Sequence, residues 1–198
     1  LIVSGALLIF VFEIRNPKTL GHASVSERIL APLFQSVTAR TAGYNTLTLA
    51  DMTQASLFTM ILLMFIGGSP GSTAGGVKTT TLGVILISAF SMMRGRGEVN
   101  LYGRRLPRHT VLKALVILVI AFMIVVVGIM ALLVFEDFDF MDIVFEVFSA
   151  FGTVGLTVGI TPELSGISKC VLICIMYAGR IGVLSTALAI LANGNSNS

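Results

Sequence analysis

Charge is scarce in this chain: Asp, Glu, Lys and Arg make up 12% of its 198 residues, about half the share of a soluble domain. That shortage excludes an ordinary water-solvated surface. Cysteine is nearly missing too. Cys170 and Cys174 stand one helical turn apart on an apolar segment with no His beside them. Neither a disulfide framework nor a metal site is indicated, and two packed thiols acting as small hydrophobes are expected. The two histidines, His22 and His109, lie in polar connecting segments, and the acidic cluster lies in a loop. No nucleophile, acid–base pair or ligand set falls at depth in an apolar run, so the chain is not read as an enzyme. A nucleic-acid surface is equally out of keeping with such a composition.

What is present is apolar. The chain is 55% hydrophobic with a mean hydropathy of +0.95, and its apolar residues fall in runs near the ~20 needed for a bilayer-crossing helix. An integral membrane protein without a sizeable soluble domain follows. The first run opens at Leu1-Ile2-Val3 with no initiating Met or basic leader, which reads as the cut edge of a longer chain and not as a signal peptide. Arg94, Arg96, Arg104, Arg105, Arg108 and Lys113 crowd one inter-helix segment, placing it in the cytoplasm. Contact of that segment with anionic lipid or a partner subunit is a second possibility. Glu136, Asp137, Asp139 and Asp142 crowd the next loop, on the opposite side.

A repeat organises the whole. Thr41-Ala42-Gly43-Tyr44-Asn45 and Thr153-Val154-Gly155-Leu156-Thr157 lie 112 positions apart, and the same offset aligns Met64-Phe65 with Met176-Tyr177 and Gly67-Gly68 with Gly179-Arg180. Residues 1–93 form one unit, 94–111 a basic linker, 112–192 a second unit and 193–198 a polar tail. Each unit reads as helix, re-entrant half-helix (26–39 and 142–151), short strand and returning helix. The fold class expected is all-α and membrane-integral, with tandem repeats whose pore helices lead into filter strands. Non-helical backbone at membrane depth is tolerated only beside protein or a water-filled path, so the repeat implies a pore. The half-helices aim their partially negative C-terminal ends at the strands, which favours a cation there. A cytoplasmic linker puts both strands near the outer face and the tail inside.

Both five-residue motifs resemble the Thr-Val-Gly-Tyr-Gly strand whose main-chain carbonyls replace the water shell of potassium in channel filters. The coordinating groups expected are the carbonyls of Thr41, Ala42 and Gly43 and of Thr153, Val154 and Gly155. Gly43 and Gly155 tolerate the positive φ and the crowding such a strand requires; the competing reading is that they only end the half-helices. Unbroken helix over 52–93 would extend ~63 Å, twice the hydrocarbon core. The interruption is Gly67-Gly68-Ser69-Pro70-Gly71-Ser72-Thr73-Ala74-Gly75-Gly76, a composition that cannot continue a helix. It is expected to line a cavity beneath the filter, the alternative being a kinked helix packed on its neighbours. Its likeness to a phosphate-binding loop fails, because Val77 separates Gly76 from Lys78 and no strand precedes it. Arg180 lies 25 residues after Gly155 among apolar neighbours, so it is expected to face the pore or a partner group. Arg40 is read as a brace for the filter strand.

With these motifs in place the chain resembles the second half of a Trk/Ktr/HKT-superfamily potassium transporter, most like a bacterial Ktr membrane subunit. Such proteins carry four M1–P–M2 repeats around one pore; this chain matches the third and fourth. The resemblance implies potassium uptake through a gated pore, with 67–76 as an intramembrane gating loop and Arg180 as a cationic barrier or loop tether beneath the filter. Glycine in each filter strand matches the potassium pattern, and serine there goes with sodium. It further implies a multi-pass protein of the bacterial cell membrane, a homodimer, and a cytosolic nucleotide-binding regulatory ring. A sodium-permeating or sodium-coupled relative and a non-conducting assembly subunit are the other readings.

Overall fold

A computed structural model describes residues 1–69, 71–72, 74–94, 100–101, 104–105 and 107–181. The first repeat comprises α1 (Ile2–Glu13), α2 (Val25–Thr38), α3 (Gln54–Phe65) and α4 (Thr79–Met93), with a short 3-10 turn at Leu49–Asp51. The second comprises α5 (Arg108–Phe135), α6 (Phe140–Phe151) and α7 (Gly166–Ile181). The fold is helical as expected. The exception is a hairpin of two-residue strands in the basic linker, β1 (Asn100–Leu101) antiparallel to β2 (Arg104–Arg105). The spanning helix α5 begins at Arg108, so Arg108 and Lys113 lie on its first turns and not in the linker.

The half-helix α2 starts where its sequence provides a reciprocal cap. Ser24 Oγ accepts from the Glu27 amide, and the Ser24 amide donates to Glu27 Oε2 at 2.9 Å, which satisfies two free helix-end donors. At fourteen residues, it is too short to cross a bilayer. By contrast α5 has 28 residues, and only 22% of its most apolar window is buried. Val119, Phe122, Met123 and Val127 point outward from it, a surface suited to lipid and not to water.

Two apolar clusters form the core, each drawing on both repeats, and α6 contributes to both. Its Phe145 packs with Ile9, Met60 and Met64 of the first repeat, while its Ile143, Val147 and Phe151 pack with Val125, Leu132 and Leu172 of the second. Phe65, the last residue of α3, stacks on Phe151 at 5.9 Å and meets Phe148 edge-on at 5.6 Å. Each such aromatic pair contributes about 0.5–1.5 kcal/mol beyond its buried area. The point where α3 breaks is thereby fixed against the second half-helix. The expectation of packed thiols is not met: Cys170 and Cys174 are exposed on α7, because the face of that helix turned to the core carries Leu172, Ile175 and Gly179 instead.

Candidate functional site

The two motif strands have the same backbone form. Thr41 and Gly43 have φ of 68° and 77°, and Thr153 and Gly155 have φ of 52° and 86°. Left-handed residues two apart break the alternation of an ordinary strand, so successive carbonyls can turn to one side. Glycine adopts this conformation at no steric cost, but a β-branched threonine does not. The strain at Thr41 and Thr153 was not anticipated from sequence, which assigned the unusual conformation to the glycines alone. Each strand hangs from the end of its half-helix: the amides of Ala42 and Gly43 donate to the Thr38 carbonyl, and that of Val154 donates to the Ser149 carbonyl at 2.9 Å. The negative ends of both helix dipoles therefore meet the strands.

The strands also meet each other. A Cβ added to Gly43 would strike the Val154 carbonyl oxygen and lie 3.8 Å from Gly155 Cα. Residues 112 apart in sequence thus bring two carbonyl-bearing strands to one locus, as a shared ion path requires. From behind, Thr38 holds the first strand: its hydroxyl accepts from the Tyr44 amide at 2.9 Å and donates to the Tyr44 carbonyl.

The interruption after α3 folds as a loop with a closed neck. The Gly67 amide donates to the Val77 carbonyl at 2.9 Å, the Val77 amide to Phe65 at 3.1 Å, and the Thr79 amide to Gly68 at 3.2 Å. Of the ten residues 67–76, Pro70 and Thr73 lie outside the described residues; Gly67, Gly68, Ser69, Gly71, Ser72, Ala74, Gly75 and Gly76 trace the loop. This is a loop and not a kinked helix. Its far side lies under the second strand: the Gly75 amide donates to Thr153 Oγ1 at 3.2 Å, and a Cβ on Gly75 would come within 2.5 Å of that oxygen.

Three cations surround the loop. Arg40 donates to the Gly67 carbonyl at 2.8 Å, so it braces the loop and not the filter strand. Lys78 Nζ donates to the carbonyls of Ala74 at 2.7 Å and Ser72 at 3.1 Å. Arg180 lines a 280 Å³ cavity with Ser72, Ala74, Gly76 and Lys78, and makes no hydrogen bond to the described residues. The tether expected of Arg180 is made by Lys78 and Arg40. Its position is set by the preceding residue: α7 passes so close to the end of α6 that a Cβ on Gly179 would collide with the Phe151 carbonyl.

Sequence reasoning missed two buried carboxyl groups. Glu13 accepts from the Thr53 amide and hydroxyl, both at 2.8 Å, and ties α1 to the start of α3. Glu146, on α6, accepts from the hydroxyls of Thr157 and Thr161 behind the second strand. The available signal for Glu146 was a carboxylate flanked on both sides by apolar residues, Val144-Phe145 and Val147-Phe148. The tail 193–198 and residues 182–192 of the returning span lie outside the described residues.

Comparison with known proteins finds relatives along the whole chain. The profile of the TrkH family of cation transport proteins matches residues 2–198. The chain is 44% identical over 191 residues to the Ktr system potassium uptake protein B of Bacillus subtilis, covering 96% of this chain and 43% of that protein. It is 42% identical over 202 residues to the potassium/sodium uptake protein NtpJ of Enterococcus hirae, covering 98% and 44%. The crystal structure of the potassium transporter TrkH from Vibrio parahaemolyticus superposes with a TM-score of 0.76 at 23% identity, covering 96% of this chain and 42% of that one, which establishes a shared fold. The chain spans less than half the length of the curated relatives it matches. A helical membrane protein built from paired helix and half-helix units, this chain belongs to the TrkH family of cation transport proteins.

Proposed function

We propose that this chain forms half of a gated pore for potassium uptake, the other half coming from two further repeats of the same fold. Potassium sheds its water onto the carbonyls of Thr41, Ala42, Gly43, Thr153, Val154 and Gly155. It then passes the 67–76 loop and Arg180 and enters the cytoplasm down the electrical gradient. The observation that carries this reading is the approach of Gly43 to the Val154 carbonyl, with left-handed Thr and Gly on both strands. Dipole ends of α2 and α6 add a field that favours a cation. The loop beneath Thr153 and Arg180, which has no partner among the described residues, support a gate: small residues offer alternative backbone states at low cost, and a fixed positive charge opposes passage until the loop moves.

By likeness to the Ktr relatives, the complete protein is a multi-pass protein of the bacterial cell membrane, a homodimer resting on a cytosolic nucleotide-binding ring. A second reading is permeation of sodium as well, favoured by the name of the Enterococcus relative, a potassium/sodium uptake protein. The ion that shifts the reversal potential of the complete transporter separates the two, and Gly155→Ser tests the filter itself. Measured as competition between potassium and sodium for uptake in cells lacking their own potassium uptake, preference for potassium falls if the strand is the filter. Unchanged preference refutes the assignment.

A further inference from the structure

Behind the second filter strand lies a buried carboxyl group with no cation beside it. Glu146 is 4% exposed, sits between Phe145 and Val147 on α6, and has no ion-pair partner among the described residues. Burial of such a group is costly without hydrogen bonds to compensate. Two threonines supply them. Thr157 Oγ1 donates to Glu146 Oε1 and accepts from the Gly159 amide at 2.9 Å. Thr161 Oγ1 lies 3.0 Å from each carboxyl oxygen and 2.8 Å from Thr157 Oγ1; its single proton serves one of them at a time. The chain leaving the filter is thus wrapped around Glu146. A 460 Å³ cavity lined by Glu146, Thr153, Gly155 and Thr157 places the carboxyl group and the back of the strand in one space.

The first repeat has no such device. The positions 112 residues earlier are Phe34, Asn45 and Leu49, and that strand is held instead by the Thr38 hydroxyl on Tyr44. The clamp on 153–157 is therefore not a requirement of the repeat; it distinguishes the second strand from the first.

We propose that Glu146 is a positioning residue for ion selectivity, acting through Thr157 to hold the 153–157 strand at the spacing that favours potassium over sodium. This rests on the pore function proposed above. Groups around a site are held within about 0.5 Å by just such supporting hydrogen bonds, and bonds to a carboxylate are shorter and stronger than neutral ones. Glu146 touches no ion itself.

The test is the potassium-to-sodium preference of the complete transporter, with Gly155→Ser as control. Glu146→Leu and Thr157→Val each lower the preference about fivefold, the scale of one net hydrogen bond. The double variant falls no further, while Glu146→Gln and Thr157→Ser, which keep an acceptor and a hydroxyl, retain most of it. If Glu146→Leu is not obtained as folded protein, Thr157→Val against Thr157→Ser carries the test alone. Equal preference in those two, with Gly155→Ser still shifting it, overturns the clamp and leaves the pore standing. Silence of Gly155→Ser overturns the pore itself.

Discussion

The glycines of the two proposed filter strands make a matched experiment, because alanine meets different surroundings at each. Gly43 and Gly155 both have positive φ, 77° and 86°, so Ala at either imposes the left-handed cost of about 1–2 kcal/mol. Only Gly43 faces an obstacle. Its new Cβ would collide with the Val154 carbonyl oxygen, whereas a Cβ on Gly155 meets no described atom within 4 Å. At Gly155 the loss is strain alone. If an empty strand relaxes that strain, up to the whole of it appears as lost ion affinity, at most about 5- to 30-fold at 1.4 kcal/mol per decade. At Gly43 the Val154 carbonyl must also swing away, removing one oxygen from the ion. On the scale of a hydrogen bond to a charged group, about 1.5–3 kcal/mol, that adds about tenfold or more. The assay is the half-saturating potassium concentration for uptake, together with the potassium-dependent rise in melting temperature of the purified transporter. Shared strain cancels in the comparison. Gly155→Ala proving as damaging as Gly43→Ala would refute the claim that these strands face each other across an ion.

Three further outcomes follow, two from the loop and its cations and one from the start of α7. Gly75→Ala places a methyl group within 2.5 Å of Thr153 Oγ1, pushes the loop off the strand and raises potassium flux at saturating concentration; a silent variant argues against 67–76 as the gate. Arg180→Ala removes the fixed charge in the cavity beside Lys78 and changes the voltage dependence of uptake; identical current–voltage curves would reduce Arg180 to scaffold. At the N-terminal end of α7, the Ser168 and Ser165 hydroxyls and the Ser165 amide hold the Glu136 carboxyl below its ordinary value of 4.5. A lowered folded-state value means stabilisation that is present above that ordinary value and lost as pH falls through the folded one. Amide exchange over 165–169 therefore quickens, relative to neutral pH and after correction for intrinsic exchange, once pH drops below the usual carboxylate range, and Glu136→Gln abolishes the dependence.

Much of this was legible in the order of residues. The 112-residue offset, the short apolar half-helices with Ser24-x-x-Glu27 at one start, and the glycine and proline density at 67–76 are local signals, and local propensity and chain length decide such elements. The break after Phe65 falls where glycine begins. The left-handed threonines were not legible, since nothing in a threonine announces a conformation it resists; the surrounding structure imposes it. Nor were the partners of the cations. Arg40 stands next to the first strand in sequence, but its guanidinium reaches Gly67, 27 positions on. Lys78 holds the carbonyls of Ser72 and Ala74, and among the described residues Arg180 holds none.

By itself, then, the chain determined an all-helical membrane architecture, a duplicated helix–half-helix–strand unit, and the places where helix cannot persist. Those properties depend on hydropathy, periodicity and backbone freedom within a few residues. Only the tertiary structure decided that Gly43 confronts Val154, that Gly75 lies under Thr153, and that Glu146 grips Thr157 and Thr161. Contacts between residues tens of positions apart depend on how α6 wedges between the two repeats, and no local preference encodes that approach.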